Sequence, residues 1–316
     1  MEQPRGNQQL LADIRENIGK VMVGKDQAVE LVLVSLLAGG HVLIEDVPGL
    51  GKTTLVAALA KSLDCTFRRI QFTPDVLPSD VTGFTLYDLK TGEKQVQFGA
   101  VMSNIVLADE INRTSPKTQS SLLEVMSEGR VTIDGVTYAA PQPFMVLATQ
   151  NPVEMTGTYP LPEAQLDRFL MRISLGYPAP QEEREILRRQ KGAQPLDGLE
   201  PTATGEDVLR LRQAQAAVTC APPVLDYIVQ LAGATRADKR IALGVSPRGS
   251  LALMNAAMAY ALVQGRDYVL PDDVQKLIEP VLAHRILLET GADVGAESAV
   301  SVLRKVVESI PVPAVS

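Results

Sequence analysis

The chain of 316 residues has only two cysteines and two histidines. Cys65 and Cys220 are solitary, and His41 and His284 lie far apart in sequence. Neither a disulfide framework nor a structural zinc site is expected, and a reducing cytoplasm fits. Positive charge is not in surplus: 30 Lys and Arg against 37 Asp and Glu leave a net charge of −7. No global basic field favours nucleic acid, which leaves room only for local basic patches. Long hydrophobic runs are missing as well. The most apolar stretch, Leu31 to Gly40, is too short to span a bilayer. The opening Met1-Glu2-Gln3-Pro4-Arg5-Gly6 lacks the apolar region of a signal peptide. A cytosolic protein without a membrane span is expected. With 46% apolar residues the chain can build a sizeable core, and its length suggests about two domains.

Helical patterns cover 8–20 and 26–38, separated by Val21-Met22-Val23-Gly24-Lys25. Short apolar runs suited to a parallel sheet recur at 41–44, 66–71, 104–108, 143–149 and 169–175. Arg68 and Arg69 interrupt the second run and weaken it. Helical stretches near 52–63 and 117–128 lie between the runs, an alternation that predicts an α/β layer with a parallel sheet. Two segments read as insertions: 77–97, rich in turn residues, and 130–138, where Asp134-Gly135 between alternating β-formers signals a hairpin. After Gly176-Tyr177-Pro178-Ala179-Pro180 the patterns become helical, at 181–191, 206–217, 223–233, 249–264, 271–288 and 296–308, with a loop at 192–205. A core at 1–178 and a helical region at 179–316 follow.

Glu45-Asp46-Val47-Pro48-Gly49-Leu50-Gly51-Lys52-Thr53-Thr54 stands between an apolar run and a good helix former. A strand, a glycine-containing loop and a helix in this order read as a phosphate-binding loop. Gly49 and Gly51 let backbone N–H groups turn toward phosphate oxygens, and the helix N-terminus adds partial positive charge. Lys52 would reach the β- and γ-phosphates, and the Thr53 hydroxyl would ligate Mg²⁺. The pattern Gly-x4-Gly-Lys-Ser/Thr asks for glycine at 46, where this chain has Asp46. A carboxylate aimed at a triphosphate would be repulsive, so its side chain is expected to point away. The bland alternative is an ordinary strand–turn–helix corner.

Four other places gain meaning beside such a loop. Ile105-Val106-Leu107-Ala108-Asp109-Glu110 is an apolar strand ending in two acids. Asp109 would hold Mg²⁺ and Glu110 would activate the attacking water, unless both are merely solvated acids. Asn151 follows the strand-like Met145–Gln150; it could bond the γ-phosphate or serve as a turn residue before Pro152. Arg168 could pair with Asp167 or another carboxylate, or act as an arginine finger on a neighbouring subunit. Ser246-Pro247-Arg248-Gly249 opens a helix with Ser246 as N-cap. Arg248 then sits where a cation is disfavoured by roughly 0.3–1 kcal/mol, which a bound anion would offset. Solvated surface charge is its alternative.

Together these residues carry a resemblance. Val47-Pro48-Gly49-Leu50-Gly51-Lys52-Thr53, Leu107-Ala108-Asp109-Glu110-Ile111-Asn112-Arg113, Ala148-Thr149-Gln150-Asn151-Pro152 and Leu161-Pro162-Glu163-Ala164-Gln165-Leu166-Asp167-Arg168-Phe169 resemble MoxR-type AAA+ ATPases. Gln71-Phe72-Thr73-Pro74-Asp75, Leu77-Pro78-Ser79-Asp80 and Ser246-Pro247-Arg248 extend the match, in order, from about Val21 to about Leu287. The resemblance implies an α/β fold: a P-loop αβα core with a parallel five-stranded sheet, then a smaller all-α lid. It implies ATP and Mg²⁺ between the two, with Val23 and Gly24 near adenine and Val47 to Thr54 around the phosphates. Thr53 and Asp109 become the magnesium residues, Glu110 the water residue, Asn151 the first sensor and Arg248 the second. It further implies a homo-oligomeric, usually hexameric, ring with Arg168 acting in trans. The inserts at 77–97 and 130–138 would face the pore or substrate. By this analogy Asp46 is tolerable. Family members remodel protein clients as chaperone-like ATPases, often with a von Willebrand factor A domain partner, in metal-cofactor insertion or complex maturation. A DNA-acting AAA+ translocase is the first alternative, and the acidic balance and a hairpin without clustered Lys or Arg count against it. A non-hydrolysing nucleotide switch is the second, against which Glu110 and Arg168 argue.

Overall fold

A computed structural model describes residues 6–90, 92–152, 157–189, 195–289 and 298–313. Met1–Arg5 and parts of the expected elements (190–191, 192–194 and 296–297) therefore lie outside the described residues. Two helices lead, α1 (Asn7–Gly19) and α2 (Asp26–Leu37), before β1 (Val42–Glu45), α3 (Lys52–Ser62) and β2 (Phe67–Gln71). The short α4 (Pro78–Thr82) and strands β3 (Gly83–Tyr87) and β4 (Lys94–Phe98) precede β5 (Ile105–Asp109). Next come α5 (Pro116–Glu128), β6 (Arg130–Ile133), β7 (Val136–Ala139), β8 (Met145–Gln150), α6 (Glu163–Leu166) and β9 (Met171–Ile173). The remainder is mostly helical: α7 (Pro180–Arg189), α8 (Gly205–Ala216), α9 (Pro222–Ala237), α10 (Pro247–Val263), α11 (Pro271–Leu282) and α12 (Ala299–Glu308). Two short strands, β10 (Ile241–Leu243) and β11 (Leu287–Leu288), interrupt it.

The main sheet is parallel, in the order β2-β5-β8-β1-β9. Its central strands are apolar on both faces because both are covered. Val42, Ile44, Ile105, Leu107, Met145 and Leu147 pack toward α1, α2 and α3. Leu43, Val106, Ala108, Val146 and Ala148 pack toward α5, with Leu122, Leu123 and Met126. The first cluster continues without a break into α8–α12 through Leu211, Leu231, Leu253 and Leu277. Among the described residues, no helix is long and apolar enough to cross a membrane.

β2 forms despite its two arginines because it is an edge strand, where Arg68 and Arg69 reach solvent while Ile70 is buried. One expectation gains detail and one needs correction. The turn-rich segment 77–97 contains α4 and the antiparallel hairpin β3–β4. It carries Phe84, Leu86, Tyr87 and Leu89 exposed rather than buried, so it lacks the alternation that a half-buried strand shows. The helix expected over 271–288 ends at Leu282, giving way to a 3-10 turn at Ala283–Arg285 and to β11, paired with β10. Arg285 and His284 turn inward there to bond main-chain carbonyls near Phe169, a tertiary demand that helical periodicity does not register. The hairpin expected at 130–138 is β6–β7, with Asp134 and Gly135 at its turn.

Candidate nucleotide-binding site

Parallel pairing brings the carboxyl ends of β1, β8 and β5 to one edge of the sheet. The register sets Glu45 beside Gln150 and Ala148 beside Ala108. The loop that follows β1, residues 46–51, therefore opens next to Asp109, Glu110 and Asn151. Gly51 ends this loop as the α3 N-cap at φ 87°, a left-handed conformation that glycine adopts without strain. Lys52 lies back across the loop, its Nζ donating to the Asp46 carbonyl at 2.8 Å. Thr53 and Thr54 are half-buried in the first turn of α3.

The Asp46 side chain points the other way, as expected. Its carboxylate accepts from Ser174 Oγ at 2.7 Å, the Leu175 N–H at 2.5 Å and the Gly176 N–H at 3.4 Å. It thus satisfies donors of the chain leaving β9 while its own N–H donates to the Gln150 carbonyl at 3.3 Å. A carboxylate is tolerated because its charge is spent on the neighbouring strand's exit.

Asp109 is buried and held by two side chains. Arg69 Nη2 donates to its Oδ2 at 2.6 Å and the Thr149 hydroxyl to its Oδ1 at 2.5 Å. The same Thr149 hydroxyl accepts from the Glu110 N–H at 2.9 Å, so one buried side chain ties the two acids to β8. Glu110 itself has left-handed backbone (φ 57°) and its carboxylate receives Gln71 Nε2 at 3.0 Å and Arg113 Nε at 3.2 Å. Asn151 is buried at the end of β8. Arg69, Gln71, Arg113 and Thr149 escaped the sequence reading as site residues. The arginines in β2 were visible only as an interruption of a strand.

Beside the loop lies a cavity of about 520 Å³ walled by Val21, Met22, Val23, Leu50, Pro178, Ile186 and Leu196, with Gly49, Gly51 and Thr54 at one end. Apolar side chains make up most of its wall, and Thr54, Lys25 and Arg189 add polar groups, a lining that suits a planar base. Val23 lines it; Gly24 does not, and its φ of 68° is a left-handed conformation that any residue with a side chain would hold under strain. The wall supplied by Pro178, Ile186 and Leu196 had no sequence signal, since its residues become neighbours of Val21–Val23 only on folding.

Arg168 and Arg248 are not part of this cluster. Leu170 N–H donates to the His41 carbonyl at 2.8 Å, and Met171 pairs with Val42. Arg168 therefore stands at the amino edge of the sheet, a strand's length from the loop, about 13 Å at ~3.3 Å per residue. Its guanidinium donates to the Leu123 carbonyl at 2.6 Å and to Ser127 Oγ at 3.0 Å, while Asp167 pairs with Arg285 instead. Ser246 caps α10 by accepting from the Gly249 N–H at 3.1 Å, leaving Arg248 exposed in the first turn. Gly249 abuts Arg285, with its Cβ position 3.1 Å from Arg285 Cδ, so Arg248 also belongs to the Arg168 side.

Residues 41–171 match the model of the ATPase family associated with various cellular activities (AAA), and 233–306 match the AAA lid domain. The Mycobacterium tuberculosis protein named Chaperone MoxR1 is 44% identical, over 99% of this chain and 86% of its own length. The chain belongs to the MoxR-type AAA+ ATPase family. The uncharacterized protein YeaC of Bacillus subtilis is 53% identical over 96% of this chain and 95% of its own. A crystal structure of a proposed ATPase from Cytophaga hutchinsonii superposes with a TM-score of 0.91 at 40% identity, covering 98% of this chain and 96% of that one. The family assignment accounts for the two-part plan, a sheet with its loop at the carboxyl edge and a helical lid after it.

Proposed function

We propose that the chain hydrolyses ATP in a homo-oligomeric, by resemblance hexameric, cytoplasmic ring and uses turnover to remodel a protein client. The observation that carries this reading is the convergence of the 46–51 loop, Asp109, Glu110 and Asn151 at one sheet edge, beside a cavity whose lining suits a nucleoside base. The turn of Gly49 and Gly51 at φ 87° is a cradle for phosphate oxygens, and Lys52 leaves the Asp46 carbonyl for the terminal phosphates. The hard oxygen donors of Thr53 and Asp109 suit Mg²⁺, which when bound neutralises charge on the phosphoryl oxygens. Arg69, whose side chain is 46% exposed, pairs with Asp109 and has room to swing out as the carboxylate takes that role. Glu110 orients and deprotonates the attacking water, and Asn151 holds the terminal phosphate.

Arg168 lies at the opposite sheet edge, a strand's length from its own loop, and Arg248 adjoins the Arg285 side chain that holds the Arg168 segment. In a ring they serve the next subunit's triphosphate, stabilising charge in the transition state. The exposed apolar side chains of the β3–β4 hairpin offer a client-facing surface. A von Willebrand factor A domain partner and metal-cofactor insertion follow from the family resemblance alone.

The test combines two variants. Glu110→Gln should bind a fluorescent ATP analogue as the parent does while turnover falls by 10²-fold or more, the order lost with a general base. Arg168→Ala should assemble and lose turnover, and adding Lys52→Ala subunits, which keep Arg168, should restore part of it. Full turnover by Glu110→Gln, or no rescue of Arg168→Ala, would overturn the corresponding assignment.

A further inference from the structure

Arg285 is a buried cation that the sequence motifs do not claim. Its side chain is 3% exposed, at the 3-10 turn after α11. Its donors converge on the segment around Arg168. Nε donates to Asp167 Oδ1 at 2.7 Å, Nη2 to the Asp167 carbonyl at 3.2 Å and the Phe169 carbonyl at 2.6 Å. Nη1 donates to the Leu170 carbonyl at 3.0 Å and to the Val281 carbonyl of α11. The main chain is thus held on both sides of Arg168, while the Arg168 side chain itself rests on α5. The stem of Arg285 packs against Gly249, next to Arg248, where a Cβ would come within 3.1 Å. Burial and the nearby Arg248 charge lower the Arg285 pKa, and Asp167 opposes them.

We propose that Arg285 is a positioning residue that joins Arg168 and Arg248 into one unit presented to the neighbouring subunit's triphosphate. The inference rests on the reading above that Arg168 acts in trans. A guanidinium is suited to the task because its rigid fork addresses Asp167 and the carbonyls on either side of Arg168 at once. A lysine ammonium, with three donors on a flexible stem, does not span them. The Arg168 side chain can then leave Leu123 and Ser127 by changing rotamer while its main chain stays fixed. Arg285 sits on the helical side and Asp167 on the sheet side, so their contact couples α10 and α11 to the segment that carries Arg168.

The test uses Arg285→Gln, Arg285→Lys and Asp167→Asn in the full chain. Asp167 is partly exposed, so Asp167→Asn carries the experiment if the Arg285 variants do not fold. Homogeneous variant rings should lose kcat by 10-fold or more with KM for ATP within about twofold, since their own loops are intact. Lys52→Ala subunits, which retain Arg168, Arg248 and Arg285 but not turnover, should rescue them as they rescue Arg168→Ala. Rescue of Arg168→Ala without rescue of Asp167→Asn or the Arg285 variants would overturn the positioning role and leave the trans finger standing. Failure to rescue Arg168→Ala in the same series would overturn the trans reading itself, and this inference with it. Unchanged kcat in Asp167→Asn, or a loss that tracks only the folded fraction in a thermal melt, would also refute it.

Discussion

Replacing Asp46 with glycine would restore the residue that the phosphate-loop pattern asks for, and on pattern alone it should improve nucleotide binding. The structure predicts a different outcome. The Asp46 carboxylate is the acceptor for Ser174 Oγ and for the Leu175 and Gly176 N–H groups, and Asp46 is 7% exposed. Hydrogen bonds to a charged acceptor contribute about 1.5–3 kcal/mol each, and an orphaned buried N–H costs about 1–3 kcal/mol. Ser174 can turn to water and the Gly176 contact is long, so the loss centres on Leu175 and amounts to about 3 kcal/mol. Glycine adds about 0.5–1 kcal/mol through the greater freedom of the unfolded chain. Asp46→Gly should therefore be destabilised by about 4 kcal/mol, and Asp46→Asn, which keeps an acceptor oxygen, by about half that. Urea denaturation followed by circular dichroism reads the midpoint, and titration with a fluorescent ATP analogue reads affinity. Affinity should stay within about threefold, because the carboxylate faces away from the loop. An unchanged urea midpoint, or a 10-fold gain in affinity on removing the carboxylate, would refute the reasoning.

Two further predictions concern buried titratable groups. His41 donates from Nε2 to the Met126 carbonyl at 2.9 Å and accepts at Nδ1 from the Val146 N–H at 3.0 Å, so it must be neutral, and burial lowers its pKa to about 4. The neutral form is favoured on folding: its contribution is complete above the unfolded value of 6.5, declines as pH falls and is lost by about pH 4. The shift corresponds to roughly 3 kcal/mol, and the urea midpoint of His41→Asn should fall less steeply than that of the parent across this window; parallel curves would refute the account. Burial, helped by Asp64, pushes the Cys65 thiol up to about 11. A thiol reagent at neutral pH should modify it on the order of 100-fold more slowly in the native protein than in urea, as the thiolate fraction dictates, and equal rates would contradict the burial.

Much of the site was legible because its signals are local. A phosphate loop, an apolar strand ending in Asp109-Glu110 and the cap at Ser246-Pro247 each depend on residues within a few positions of one another. The helix expected over 271–288 failed for the opposite reason. Its last turn is broken by bonds from His284 and Arg285 to carbonyls more than a hundred residues away. Segment 77–97 concealed its hairpin because its apolar side chains are exposed rather than alternating inward. Arg69 read as a flaw in a strand, and only the pairing of β2 with β5 turned it into the partner of Asp109.

Local order in the chain was enough to determine the fold class, the loop and the acids that go with it, since propensity, capping and apolar periodicity act over one or two turns or strands. Tertiary structure decided the direction of the Asp46 carboxylate, the second wall of the cavity and the far-edge position of Arg168, with Arg248 next to Arg285. Each of these depends on which strands become neighbours and in what register, a choice made by burying both faces of the sheet at once. The same long-range packing brought Arg285 to Asp167, a pair 118 positions apart that no spacing along the chain could announce.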